Sequence, residues 1–151
     1  MANKKVTIWF DMDGTIADLY NVDNWLERLD SHDPSPYMEA VVMLKMATLA
    51  RLLHKAQAQG YGIGIISWLA KNSNEGYDKA VEQAKRNWLK IHLPSVEWDA
   101  MHFVKYGTPK HEIGSGLLFD DNKQIRLEWT RANGYNFAVD PSQIIETLKA
   151  L

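Results

Sequence analysis

A regular alternation between short apolar runs and stretches of helical periodicity constrains the fold more than any other feature of the sequence. The apolar runs lack a strict apolar/polar alternation, which is typical of strands that are covered on both faces. They lie at residues 6–10, 61–66, 101–104, 117–119 and 137–139. Strands that alternate with helices predict an α/β fold, in which a parallel five-stranded sheet has helices on both sides.

Apolar residues at helical spacing fill the segments between these runs. One stripe predicts a helix that runs from Met38 towards a stop at Gly60, and a second predicts a helix over residues 77–91. A shorter stripe lies at residues 125–132. The last helix is expected to open at Asp140-Pro141, since an aspartate cap followed by proline is a common helix start.

Residues 18–36 are the one segment that this alternation does not require. They contain a pattern for a short helix at residues 22–29 and the turn-rich sequence SHDPSP. The full length of 151 residues is about that of one domain. We therefore interpret residues 1–151 as a single domain, with residues 18–36 as a small cap-like insertion over the site.

We single out the polar residues that follow three of the five predicted strands. Asp11 and Asp13 follow the first run, Ser67 follows the second, and Asp120 and Asp121 follow the fourth. In sheets of this kind, ligands bind beyond the carboxyl ends of the strands. These side chains, which are distant in sequence, are therefore expected to converge at one edge of the sheet.

Four carboxylates in one place repel one another and therefore predict a bound cation. Carboxylate oxygens suit Mg²⁺, which also takes water and phosphate oxygens as ligands. A carboxylate beside a bound phosphate can attack it to form an aspartyl-phosphate. The reaction further needs a hydroxyl, a cation for the phosphoryl oxygens and an acid for the leaving group. Ser67 can supply the hydroxyl, Lys105 or Lys110 the cation, and Asp13 the acid.

Each of these features alone also has a purely structural interpretation. A lone Asp-x-Asp is usually a cap or a turn, and Asp120-Asp121-Asn122 by itself is more typical of a helix cap. A serine after an apolar run is most often a turn residue, and a loop lysine is usually solvated. The joint order of strand–DxDGT, strand–Ser, Lys and strand–DD carries the functional interpretation.

FDMDGT, IIS, a following lysine and LLFDDN resemble the four motifs of the haloacid dehalogenase-like (HAD) hydrolase superfamily. These motifs span residues 10–122, so the resemblance covers nearly the whole chain. It implies a three-layer α/β/α sandwich with a minimal cap and a phosphatase that requires Mg²⁺. It also implies that Asp11 is the nucleophile and a metal ligand. Asp13 would be the general acid and then the base, with its backbone carbonyl on the metal.

The same resemblance implies roles for the remaining motifs. Ser67 would hydrogen-bond the phosphoryl group, and Lys110 or Lys105 would neutralise it. Asp120 or Asp121 would complete the Mg²⁺ shell. Further candidate substrate-binding residues are the neighbours of these motif residues, Gly14, Thr15, Trp68 and Lys71.

Within the superfamily, the sequence is most similar to the 5′(3′)-deoxyribonucleotidases, through DMDGTIAD and KHEIGSGLLFDDN. The second segment favours Lys110, ten residues before Asp120, over Lys105. Lys71, four residues after Ser67, falls where that group carries a lysine near the phosphate. The sequence departs from the group at its second motif, where Ser-Trp-Leu replaces Thr-Ser-Pro, and in its much shorter insertion.

The short insertion predicts an open site, unless a second subunit covers it. The expected substrate is a nucleoside monophosphate or a similar small phosphomonoester. The alternative is a phosphate on a macromolecule or at a nucleic-acid end. Aromatic residues near the motifs could stack on a base, although core packing is the commoner role. They are Tyr20, Trp25, Tyr37 and Trp68.

Three other functions are less favoured by the sequence. A receiver-like signalling domain would carry its phosphorylated aspartate after the third strand, where this chain has VKYGT. A non-catalytic phosphate-binding protein with a degenerate site would be expected to lack Asp11 or Asp13, and both are present. A phosphotransferase or mutase would need a larger closing cap.

Composition narrows the expected partners and location. A net charge of −2 argues against binding to nucleic acid or membranes through bulk charge. The lack of cysteine excludes disulfides, thiolate metal sites and cysteine nucleophiles. With no signal-like or membrane-length apolar run, we expect a cytoplasmic protein without a membrane partner. A homodimer is left open.

Overall fold

The fold is built on a five-stranded parallel sheet. The computed structural model describes residues 5–132 and 134–151. Within them the strands are β1 (Thr7–Phe10), β2 (Ala17–Asp18), β3 (Val41–Val42), β4 (Gly62–Trp68), β5 (Ala100–Val104), β6 (Gly116–Phe119) and β7 (Phe137–Val139). The parallel sheet has the order β5–β4–β1–β6–β7, and β2 pairs with β3 in a separate antiparallel ribbon. The predicted five-stranded parallel sheet is confirmed.

Helices cover both faces of this sheet. They are α1 (Trp25–Asp30), α2 (Ser35–Glu39), α3 (Met46–Ala58), α4 (Glu75–His92), α5 (Lys123–Ala132) and α6 (Ile144–Lys149). The apolar faces of α3, α4 and α6 share one buried cluster with one face of the sheet. On the other face, α5 packs through Ile125 and Trp129. The predicted three-layer sandwich is therefore confirmed.

The central strand, β1, explains why its sequence shows no alternation. Ile8 and Phe10 point into the cluster beneath α3 and α6, whereas Trp9 packs on the opposite face beside α5. Both faces of β1 are therefore buried. Phe10 pairs in register with Ile65 of β4 and with Phe119 of β6. The three strands consequently reach the same edge of the sheet together, which places the residues that follow them side by side.

Strand β4 is longer than predicted. The sequence pattern ends at residue 66, but Ser67 and Trp68 continue the ladder and pair with Phe103 and Val104 of β5. Ser67 is therefore held inside a strand and not in a turn after it. Its side chain is fully buried, since α4 covers this end of the strand.

The predicted helix from residue 38 begins only at Met46, so this prediction is wrong in its first turns. Met38 lies in α2, and Val42 lies in β3, where it pairs with Ala17. The chain turns at Ala40, whose ψ of 125° is incompatible with helix continuation. The apolar spacing across this turn resembles helical periodicity because Met38 of α2 and Met46 of α3 pack against the same core, although Val42 between them is exposed.

Residues 19–40 lie between the two strands of the ribbon and are called the insertion from here on; they extend past the predicted bounds of 18–36. The insertion contains α1, near the predicted short helix at residues 22–29, and α2, which forms within the turn-rich SHDPSP region and carries Pro36 in its first turn. Its buried residues pack against α4 and the segment after β4, rather than forming a core of their own. The contacting residues are Leu19, Leu29, Tyr37, Leu69, Ala70, Tyr77, Val81 and Ala84.

Among the described residues, no helix combines the length and the apolar character that crossing a bilayer would require.

Candidate active site

A cleft of about 460 Å³ opens at the carboxyl edge of the sheet, beneath the insertion. Ten of the residues singled out from the sequence line it: Asp11, Asp13, Tyr20, Trp25, Tyr37, Trp68, Lys71, Lys110, Asp120 and Asp121. Three others, Gly14, Thr15 and Ser67, do not. The strand register therefore brings most of the candidate residues into one cleft.

Asp11 is held in place by two side chains. Its Oδ1 accepts a hydrogen bond of 2.9 Å from Lys110 Nζ, and its Oδ2 accepts one of 3.0 Å from Thr15 Oγ1. Burial by itself raises the pKa of Asp11. The charge of Lys110, together with hydrogen bonds that involve Asp121 and Lys110, outweighs burial and lowers this pKa below its ordinary value. Asp11 is therefore an ionised carboxylate at neutral pH.

Lys110, and not Lys105, is the lysine at this carboxylate. Lys110 is 2% exposed, and its Nζ also donates to Asp120 Oδ2 at 2.7 Å. Burial alone lowers the pKa of Lys110, but the charges of Asp11 and Asp120 more than offset this and raise it. Lys105 instead lines a separate cleft beside Glu75 and Asp78 near the start of α4.

Asp11, Asp120 and Asp121 form a cluster of carboxylates, here called the acidic trio. One oxygen from each lies within 4.8 Å of the others. Burial, followed by the charge of Asp11, raises the pKa of Asp120 to about 6 and that of Asp121 to about 7. Three carboxylates that face a single ammonium group leave an excess of negative charge. The oxygen donor set and this excess both fit a divalent cation such as Mg²⁺.

Asp13 lies outside the acidic trio and faces a different lysine. Its Oδ2 accepts a hydrogen bond of 2.8 Å from Lys85 Nζ. Burial raises the pKa of Asp13 above its ordinary value, and this effect outweighs the lowering by Lys85. Two aspartates that are two residues apart thus have pKa values displaced in opposite directions.

Lys85 was not identified from the sequence. It lies on the buried face of α4 and also donates to Ser67 Oγ at 2.6 Å and to the Trp68 carbonyl at 2.8 Å. The sequence does carry a signal for it, because Lys85 falls within the apolar stripe that includes Val81 and Trp88. A lysine at such a position must be paired if it is buried.

Gly14 and Thr15 contact two carboxylates of the acidic trio, Asp121 and Asp11 respectively. Gly14 has a φ of +79°, and a Cβ atom at this position would lie 2.4 Å from Asp121 Oδ2. A side chain here would therefore both strain the backbone and displace Asp121. Thr15 is 1% exposed and bonds Asp11. Both residues shape the acidic trio in this structure, and their direct contact with substrate stays a prediction.

Two aromatic pairs line the cleft. Tyr20 and Trp25 of the insertion meet edge to face at 5.0 Å between ring centroids. Trp68, the last residue of β4, and Tyr106, which follows β5, have ring centroids 4.9 Å apart. Tyr106 was not identified from the sequence, although it lies in VKYGT, directly beyond β5. Tyr37, the remaining aromatic candidate, is only 4% exposed.

Solved structures resemble this one at the level of fold. A protein described as a HAD-like phosphatase from Mesorhizobium loti superposes with a TM-score of 0.59 at 15% sequence identity, over 99% of this chain and 87% of the other. The chain has the HAD-like fold. The HAD domain of the effector protein Lem4 from Legionella pneumophila gives a TM-score of 0.47 at 15% identity, over 97% of this chain and 93% of that domain.

No protein-family model and no curated protein matches the sequence. The structural likeness confirms the HAD-like resemblance of the sequence for the fold. The likeness to deoxyribonucleotidases stays a prediction. Because one fold can carry many functions, the chemistry must be argued from the site.

The acidic trio predicts that Asp121→Asn raises the Tm without Mg²⁺ but reduces the gain in Tm that Mg²⁺ gives. The pKa of Asp121 is raised to about 7 in the folded protein, so the folded state binds this proton more tightly than the unfolded state does. As the pH rises through about 7, the loss of this proton destabilises the folded state. In EDTA at about pH 8, Asp121→Asn should therefore raise the Tm. In excess Mg²⁺ the wild type should gain Tm, and the variant should gain less.

Thermal unfolding followed by circular dichroism measures both effects. Asp23→Asn, which removes an exposed carboxylate outside the trio, is the matched control and should keep the wild-type gain with Mg²⁺. An Asp121→Asn variant with the full wild-type gain would remove Asp121 from the proposed cation site.

Proposed function

We propose that this protein is a Mg²⁺-dependent phosphomonoesterase that forms an aspartyl-phosphate on Asp11. The observation that carries the proposal is the state of Asp11. It is buried, has a lowered pKa, is bonded to Lys110, and lies beside the raised-pKa carboxyls of the acidic trio. An ionised carboxylate with a fixed cation beside it is suited to attack a phosphorus atom.

Asp11, Asp120 and Asp121 would hold the Mg²⁺ ion through the oxygens that lie within 4.8 Å of one another. When bound, Mg²⁺ would neutralise charge on the phosphoryl oxygens. Asp13 would contribute through its backbone carbonyl, as the resemblance implies, because its carboxylate is engaged by Lys85. The buried ammonium of Lys110 supplies a second fixed positive charge at the same place.

The first chemical step forms a bond between an Asp11 carboxylate oxygen and phosphorus. The bond from phosphorus to the ester oxygen breaks, and the carboxyl of Asp13 donates its proton to that oxygen as the alcohol leaves. The raised pKa of Asp13 supports this role, because it favours the protonated form of the acid. Lys110 stabilises the charge that develops on the phosphoryl oxygens.

The second step returns the enzyme to its starting state. The Asp13 carboxylate accepts a proton from water, and the water oxygen attacks the phosphorus of the aspartyl-phosphate. The bond between phosphorus and Asp11 breaks, which releases inorganic phosphate and restores the Asp11 carboxylate. Asp13 is then protonated again for the next turnover.

The shape of the cleft supports a small substrate that carries a planar ring. Its volume of about 460 Å³ lies within the range that is typical of small-molecule sites. The Trp68–Tyr106 pair offers a surface on which a base could stack, with Lys71 Nζ 5.8 Å from the Tyr106 ring. A nucleoside monophosphate carries both groups that this cleft would hold. Its phosphate would lie at the acidic trio, and its base would stack on the Trp68–Tyr106 pair, here called the aromatic wall.

A phosphate at a nucleic-acid end is the second candidate substrate. Tyr20 and Tyr106 at the cleft are 49% and 54% exposed, and Lys71 is also exposed. This open rim supports the access of a longer chain whose terminal base occupies the same aromatic wall.

The nucleophile assignment predicts that Asp11→Asn abolishes turnover. The loss in phosphate release should be at least about a thousandfold, because an amide cannot form the aspartyl-phosphate. The assay should cover ribo- and deoxyribonucleoside monophosphates, phosphorylated oligonucleotides, sugar phosphates and an aryl phosphate. Each would be tested with Mg²⁺ and with EDTA. Activity that survives either EDTA or Asp11→Asn would contradict the proposal, and Asp23→Asn serves as the control.

The aromatic wall predicts a selective effect of Tyr106→Ala. Base stacking on an aromatic side chain contributes about 1–3 kcal/mol, so kcat/KM for a nucleotide should fall roughly 5- to 150-fold. The value for a sugar phosphate, which has no base, should change little. Tyr135→Ala, at an exposed tyrosine that does not line the cleft, is the control. Equal losses of kcat/KM on both substrates would rule out base stacking on Tyr106.

The two candidate lysines predict different outcomes on substitution. Lys110→Met removes the ammonium that bonds Asp11 and Asp120, so kcat should fall at least about a hundredfold. Lys105→Met should stay within about twofold of wild type, because Lys105 lines another cleft. Steady-state kinetics on the best substrate compares the two, with the Tm of each variant as a folding check. A larger loss for Lys105→Met would reverse the assignment.

A further inference from the structure

Lys85 is a buried cation that has no hydrogen left for a substrate. Its side chain is 1% exposed. An ammonium group has three N–H donors, and three acceptors lie within 2.8 Å of Nζ. They are Asp13 Oδ2, Ser67 Oγ and the Trp68 carbonyl. Whatever Lys85 does at this site, it does through the protein groups that it bonds.

The two buried lysines divide the aspartates of the DxD motif between them. Lys110 bonds Asp11 and Asp120 and lines the cleft. Lys85 bonds Asp13 and does not line the cleft. The nucleophile and the acid of the proposed reaction therefore each have a separate cation. Among the described residues, neither lysine donates a hydrogen bond to both Asp11 and Asp13.

A purely structural role gives little reason for a lysine at this position. The neighbouring residues on the buried face of α4, such as Val81 and Trp88, are apolar. Replacing a buried ion pair with apolar residues of similar volume is often neutral or stabilising. The Tyr37 ring, whose centroid lies 4.9 Å from Lys85 Nζ, adds a further contact from the insertion. Lys85 thus links the loop after β1, the end of β4, α4 and the insertion.

We infer that Lys85 is a positioning residue that fixes the carboxyl of Asp13 for proton transfer. The inference rests on the proposed phosphatase function. The bond to Oδ2 sets the orientation of the carboxyl group, which leaves Oδ1 to exchange the proton with the leaving group and later with water. Ser67 in β4 is fully buried, and its hydroxyl accepts a hydrogen bond from Lys85 and so holds the ammonium in turn. In this arrangement Ser67 reaches the reaction through Lys85.

The inference predicts a dependence on the leaving group in Lys85→Met. An alkyl phosphate has a poor leaving group that needs a proton from Asp13, whereas 4-nitrophenyl phosphate has a good one that needs little assistance. The loss in kcat/KM should therefore be at least about tenfold larger for the alkyl ester, and it should arise mainly in kcat. Lys79→Met, at an exposed lysine of the same helix, should leave both values unchanged.

A uniform loss on the two esters, or no loss, would overturn the inference, since misfolding lowers both activities alike. Unfolding temperatures of all variants accompany the kinetics. If Lys85→Met does not fold, Lys85→Gln takes its place. It keeps a buried donor but supplies two hydrogens and no charge. A folded Lys85→Gln variant should also lose more kcat/KM on the alkyl ester than on 4-nitrophenyl phosphate. An unchanged ratio of the two kcat/KM values would again overturn the inference.

Wild type and Asp11→Asn run in the same assay separate the two proposals. A wild type without Mg²⁺-dependent turnover on either ester overturns the phosphatase function, and the role of Lys85 falls with it. A wild type that needs Mg²⁺ and Asp11, combined with an unchanged ester ratio in the Lys85 variants, overturns the role of Lys85 alone.

Discussion

The site depends on the placement of one ammonium group between two buried carboxylates. Strands β1 and β6 are neighbours, and the backbone N–H of Asp11 donates to the Phe119 carbonyl, so Asp11 and Asp120 are forced close together. Two buried carboxylates that lie so close together could not both be ionised without a compensating positive charge. Lys110 supplies that charge through its bonds to both. The excess negative charge that remains once Asp121 is added is what makes the trio a candidate cation site.

A second lysine gives the neighbouring aspartate a different character. Asp11 has a lowered pKa and Asp13 a raised one, although only Met12 separates them. The backbone directs the two side chains towards different partners, Lys110 in one case and Lys85 in the other. Carboxyls whose surroundings displace their pKa values in opposite directions are suited to different roles in one reaction. The surroundings of the DxD motif therefore matter as much as its residues.

The sequence predicted the sheet and the convergence of the site because both follow from local patterns. Buried parallel strands are apolar on both faces, and their carboxyl ends share one edge. Lys85 was missed because its partner Asp13 lies 72 residues away, and helical periodicity alone does not reveal that pairing. The start of α3 was wrong for a related reason. Pairing of Val42 with Ala17 in the ribbon outweighed a helical spacing that two separate elements produced together.

The insertion, though short, helps to bury one part of the site and leaves another part exposed. Leu19, Leu29 and Tyr37 pack against α4 and cover the side where Lys85 meets Asp13. Asp121, in contrast, is exposed to solvent. A carboxyl that must hold a proton gains from burial, whereas Mg²⁺ usually retains water ligands and needs an open side. The burial of Lys85 beside Asp13 and the exposure of Asp121 therefore suit the acid and the cation site proposed here.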